Sequence, residues 1–243
     1  MTKSIKLSPN WIQQWWFWLA VIFIVTFLSF WPSFFSAIVN VETYIIIHGI
    51  SAISWMLITV LQAWLINSKW RKYHGPLGYA SLALALILVL SGLHVIQTML
   101  LKDHSVDGSH PLLAIKFFYV DITGLILFCA FLFLAIRAAR KRDIALHQRM
   151  ITGTAIIPLE AALERTFVYG TPQLVPNFNI ALYASTITLI MITAVLVVTD
   201  LWHKRSRWPF VALLVYYVIM LLTTDFVANA AWFQTLAAFY ASL

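Results

Sequence analysis

Charge is what this sequence has least of: Asp, Glu, Lys and Arg make up only 10% of its 243 residues. Soluble domains carry roughly a quarter, so a water-soluble globular protein and a disordered chain are both excluded. Cysteine is equally scarce. Cys129 stands alone, which rules out an intramolecular disulfide and with it a disulfide scaffold. Several short signatures are missing as well. There is no GxGxxG or GxxxxGK for phosphates, no HExxH, ExxH or CxxC for metals, and no serine in a nucleophile elbow. Alternating segments of about ten residues, which a transmembrane barrel needs, are absent. So are soluble domains, low-complexity stretches and clear internal repeats.

What remains is apolar: 62% of residues are hydrophobic and 15% aromatic, with a mean hydropathy of +0.87. The chain therefore reads as a single transmembrane domain over 1–243, an all-α integral membrane bundle of seven helices. The spans fall at about 15–39, 43–66, 76–101, 111–136, 144–169, 178–201 and 209–240. Each is long enough to cross a hydrocarbon core of ~30 Å at ~1.5 Å per residue. The first run is too long for a signal-peptide core and reads as an anchor. Pro76, Pro111 and Pro209 stand at helix starts, where a missing N–H costs nothing. Pro158 falls inside the fifth span and predicts a bend, and the long last span is expected to end in an interfacial turn.

The net charge of +7 is a topology signal. All of the sixteen Lys and Arg except Lys102, Lys116 and Arg165 fall on one side of the seven-span arrangement. The positive-inside rule puts that side and the N-terminus in the cytoplasm and the C-terminus outside. Trp11, Trp15, Trp16, Trp18, Trp70, Trp202 and Trp208 mark the same interface. The expected setting is a bacterial inner membrane, with the lipid bilayer as the first partner and no nucleic acid.

Ionisable residues within spans are costly and usually face the protein interior or water. Here Lys116, Asp121, Glu160, Glu164, Arg165 and Asp225 gather in the outer halves, with His48 and His94 at similar depth. Glu160 and Glu164, four apart, share a helix face. The group reads either as an internal ion network holding helices in register or as a site open to the outer face. With imidazoles at that depth, the second reading extends to a metal ion. The other histidines suggest a further arrangement. His48 and His110 stand near the outer side, while His74 and His147 open spans three and five on the inner side. Two such pairs across a bundle resemble two-haem transmembrane b-type cytochromes.

A closer resemblance is carried by His48-Gly49, Trp55, Gln62 and Arg71-Lys72-Tyr73-His74-Gly75-Pro76-Leu77-Gly78, then His147-Gln148-Arg149-Met150 and Arg165. This stretch looks like a family of uncharacterised bacterial membrane proteins. Its members carry His, Trp and Gln on one helix, a basic His-x-x-Leu-Gly turn, and a His-x-Arg-Met opening to a later helix that ends in Arg. Gly75 replaces the usual Arg after His74, and Glu160 and Glu164 lie outside the pattern. The family is similar in places to small factors that assist terminal-oxidase maturation. The resemblance implies a role for His48, Trp55, Gln62, His74, Gly78, His147, Met150 and Arg165. From spacing alone, Trp55 and Gln62 make either a packing stripe or a pocket.

These observations lead to a histidine-based metal or haem site in the outer half of the bundle, serving membrane redox chemistry or assembly of a respiratory or other membrane complex. The alternative is a transporter or proton-coupled binding protein for a small solute, using the carboxylates, Arg165 and Asp225. A structural subunit of a larger membrane complex is the third.

Overall fold

The computed structural model describes residues 15–105, 111–203 and 208–243. Among the described residues it is helical, with no strand. In chain order the helices are α1 (Trp15–Phe30), α2 (Thr43–Ile66), α3 (His74–Ser105), α4 (Pro111–Arg140), α5 (Ile144–Ile156), α6 (Leu159–Gly170), α7 (Phe178–Trp202), α8 (Trp208–Asn229) and α9 (Ala231–Ser242). Five of them, α2, α3, α4, α7 and α8, are long and apolar enough to cross a membrane.

Three of the expected spans are interrupted. The first helix stops at Phe30 instead of continuing to residue 39, because Pro32 disfavours helical geometry at Trp31 and cannot donate a backbone bond. The fifth is broken into α5 and α6. Pro158 lacks the N–H that would continue the ladder, and Ile157 closes α5 by donating to the Gly153 carbonyl at 3.0 Å. The last is broken at Ala230, whose backbone turns extended. There is no proline or glycine at this break. Instead Asn229 and Gln234 donate to the carbonyls of Asp225 and Ala228, and α9 packs against α3 and α4. Phe118 stacks on Phe233 and Tyr240, and the Tyr240 hydroxyl donates to the Leu93 carbonyl at 2.9 Å.

Neighbour contacts close a ring: α1, α2, α3 and α4 lie side by side, α4 abuts α8, then come α7 and α6, and α6 returns to α1. Inside the ring is α5, which touches α1, α2, α4, α6 and α8. Its sequence explains that place. Arg149, Met150 and Thr152-Gly153-Thr154-Ala155-Ile156 are all buried, and small residues let neighbouring helices approach closely. A Cβ on Gly153 would lie 2.3 Å from Cδ1 of Phe131. Thr152 and Thr154 return their hydroxyls to their own helix, and Trp15 Nε1 donates to Thr152 Oγ1 at 2.6 Å. The start of α5 is fixed by a tight turn from α4. Arg142 takes a left-handed φ of 60° while Asp143 and Arg142 donate back to Ala138 and Ala139, a Schellman-type stop. The Asp143 carboxylate then accepts from the Leu146 amide at 3.0 Å, capping α5. That turn sets the direction in which His147 and Arg149 point.

Candidate functional site

The expected polar group resolves into two separate arrangements, and a further pair lies apart from both. Toward the end opposite the basic loops, Lys116 on α4 pairs with Asp225 on α8 at 2.7 Å and donates to Asn179 Oδ1 on α7 at 2.9 Å. The Lys116 ammonium also lies 5.4 Å from the Tyr183 ring. Lys116 is buried, whereas the Asp225 side chain is 64% exposed. This pair is a link between helices at the rim, not part of a larger network.

At the basic end a second pair appears that sequence reasoning missed. Arg149 and Asp200 form a fork, with Nε on Oδ2 at 2.5 Å and Nη2 on Oδ1 at 2.6 Å. Both side chains are 4% exposed, and Nη1 donates to the Ala145 carbonyl. Arg149 is therefore not a free loop charge as the topology count treated it. The signal was present, since residues 149 and 200 both fall within the expected spans.

Between these two lies the group centred on α6. Glu160 and Glu164 are buried at 6% and 5% exposure. Glu160 accepts from the Thr186 hydroxyl at 2.9 Å. Asp121 on α4 is near enough for its charge to act on Glu160, Glu164 and Arg165, yet it keeps accessible surface. The Arg165 guanidinium lies 4.3 Å from the Phe30 ring centre and donates to the Ala161 carbonyl. Its charge extends to His48, which lies 3.3 Å from the Ser91 hydroxyl. Two tyrosines of α8 complete the wall. Tyr216 meets Thr123 at 3.2 Å, and the fully buried Tyr217 hydroxyl has no hydrogen-bond partner among the described residues. Thr186, Tyr216 and Tyr217 were not anticipated, because they are recruited from helices whose register against α6 only the fold defines. The cluster thus joins three carboxyls, one guanidinium, one imidazole and several hydroxyls.

The glycines serve these polar groups. A Cβ on Gly92 would stand 3.4 Å from the His48 ring, one on Gly124 the same distance from the Tyr216 hydroxyl, and one on Gly78 the same distance from the Gln62 amide. Each lets a polar side chain settle onto a helix backbone.

The histidines do not assemble in the outer half as expected. His94 is exposed and packs edge-on against Tyr44, with ring centres 5.2 Å apart, so it faces away from the α6 cluster. His110 lies outside the described residues. Among the described residues no group of three or more His, Cys, Asp or Glu side chains could hold a metal ion. His74 and His147, in contrast, stand together at the basic end with ring centres 6.4 Å apart. Trp55 and Gln62 are both buried, and Trp55 Nε1 and Gln62 Oε1 lack hydrogen-bond partners among the described residues. Trp55 packs against Phe128 in a cluster with Ala85 and Leu88.

No family model matches the chain, and no curated protein or solved structure does either.

Proposed function

We propose that this protein is a seven-span cytoplasmic-membrane protein that binds a small solute from the outer face in a proton-coupled manner, with the α6 cluster as its site. Five spans are α2, α3, α4, α7 and α8. The other two are α1 with its following turn, and α5 and α6 acting as one interrupted span. The basic loops put the N-terminus in the cytoplasm. In support, Lys69 and Lys72 lie over Trp70 and Tyr73 at 5.5 and 5.0 Å, an aromatic and basic rim suited to an interface.

The observation that carries the reading is a charge imbalance. Asp121, Glu160 and Glu164 lie within reach of one another's charge, and one cation among the described residues, Arg165, acts on Glu164 and Asp121. An ion network built only for register would balance its charges, because an uncompensated charge in a low-dielectric interior costs several kcal/mol. The surplus must be met by a proton or by a cationic ligand, and these are the occupants a coupled binding site exchanges. The broken helix supports the same reading. The Pro158 break leaves Glu160 in the first turn of α6, and interrupted spans are a usual way to build a solute site at depth. Asp121, with its accessible surface, is the point of contact with water.

Proteoliposomes with a trapped pH-sensitive dye and an imposed potential test this. The parent chain should carry protons above the rate of empty vesicles, and Glu164→Gln should lose that flux while melting within a few degrees of the parent. Equal flux in the two proteins would remove the site from the mechanism.

A further inference from the structure

A second polar site lies at the opposite, basic end of the bundle, away from the α6 cluster, where α2 ends and α3 and α5 begin. His74 is the first residue of α3, and His147 lies in the first turn of α5. Their ring centres are 6.4 Å apart and their planes are nearly perpendicular, at 88°. The Ala135 carbonyl accepts from His147 Nδ1 at 2.9 Å. A carbonyl only accepts, so Nδ1 carries a proton, and in the neutral ring this leaves the Nε2 lone pair for a ligand. This backbone-anchored imidazole is the usual preparation of a metal-ligating histidine. His74 Nδ1 is buried and has no hydrogen-bond partner among the described residues.

The third group is Gln62. Its amide lies against Gly78, one turn after His74 on the same face of α3, and the His74 ring lies against the Gln62 backbone. The side chain is buried, and its Oε1 also lacks a partner. A buried amide oxygen and a buried imidazole nitrogen left without donors are costly in the protein alone, and a cation would satisfy both. Two bonds of ~2.0–2.1 Å with half of each ring added span roughly 6 Å in line and about 5 Å at a tetrahedral angle, so a cation between the rings draws them about 1 Å closer than the 6.4 Å seen here.

We infer that His74, His147 and the Gln62 amide oxygen form a binding site for a first-row divalent cation such as Zn²⁺ or Cu²⁺. The donor set of two neutral imidazoles and one amide fits borderline cations, and three protein ligands leave a position for water. The geometry favours an ion over a haem. His74 opens its helix beside the exposed Arg71–Tyr73 turn, so a porphyrin held there would project beyond the helices. The inference stands apart from the α6 proposal and survives its failure.

The test uses the full chain in detergent, stripped with chelator and titrated with Co²⁺ as an optical probe, with Zn²⁺ as competitor. The parent should bind one Co²⁺ per chain, with visible ligand-field bands that Zn²⁺ removes. His74→Gln and His147→Gln should each weaken binding by far more than tenfold, and Gln62→Leu by about tenfold. His94→Ala should bind as the parent does. Helical circular dichroism and melting temperature identify any variant that has not folded, and the three substitutions keep the test alive if one fails. Absence of Co²⁺ bands in the parent would overturn the assignment. So would unchanged affinity in both histidine variants, equal loss in His94→Ala, or a haem absorption band in the purified chain.

Discussion

Two arginines on consecutive helices meet their counter-charges in different ways. Arg149 on α5 faces one carboxylate, Asp200, through a two-bond fork, and both side chains are almost wholly buried. Arg165 on α6 lies near Glu164 and Asp121, forms no fork with either among the described residues, and leans on the Phe30 ring instead. The first arrangement is closed in charge and in hydrogen bonding, and nothing further can enter it. The second holds more carboxyls than cations and borders accessible surface at Asp121. The contrast teaches that burial of charge alone does not mark a site in a membrane bundle. What marks one is burial whose balance requires something from outside.

This comparison can be broken most sharply at Arg149. Arg149→Met leaves Asp200 without its partner in the interior, at an expected cost of ~3–5 kcal/mol. The double variant Arg149→Met with Asp200→Leu should recover most of that loss in thermal or denaturant melts. If the single variant is as stable as the parent, the pair is not the closed strut described here. A smaller effect is expected at Asp225. Its carboxylate is exposed, and Lys116 retains the Asn179 oxygen, so Asp225→Asn should cost roughly 0.2–1 kcal/mol. A loss as large as that of Arg149→Met would place the rim pair in the same class as the buried one.

How far the sequence announced all this depends on where the deciding force resides. The break at Pro158 and the stop before Pro32 are local, set by a missing N–H and a ring clash, and the first of them was read directly. The break at Ala230 was foreshadowed only as an interfacial turn at the end of a long last span; its position depends on side-chain caps and on aromatic stacking of α9 against α4, and no proline or glycine marks it. The shared face of Glu160 and Glu164 followed from helical spacing. Their partners Thr186 and Tyr216 did not, since helix-to-helix register is a tertiary property. Lys116 and Asp225 were grouped with the α6 carboxylates on depth alone, and depth does not report angular position around a bundle. His48 and His94 show the same failure: similar depth, with one ring turned toward Ser91 and the other exposed on Tyr44. The juxtaposition of His74 and His147 was legible because both open helices on the same side. The fork between Arg149 and Asp200 was equally legible, and was missed because Arg149 had been counted with the loop charges.

The central claim is that the α6 group is a site and not a strut, and one pair of melting temperatures tests it most directly. Arg165→Met is compared with a triple variant in which Glu160, Glu164 and Arg165 are all replaced by apolar residues of matched volume, with proton flux measured on both. If the group exchanges protons or a cation, the carboxyls left by Arg165→Met can take up protons. The single variant then melts close to the parent, the triple gains nothing over it, and neither carries flux. A large loss of stability in Arg165→Met that the triple variant rescues, with flux intact, would contradict the account and make the cluster a structural ion network.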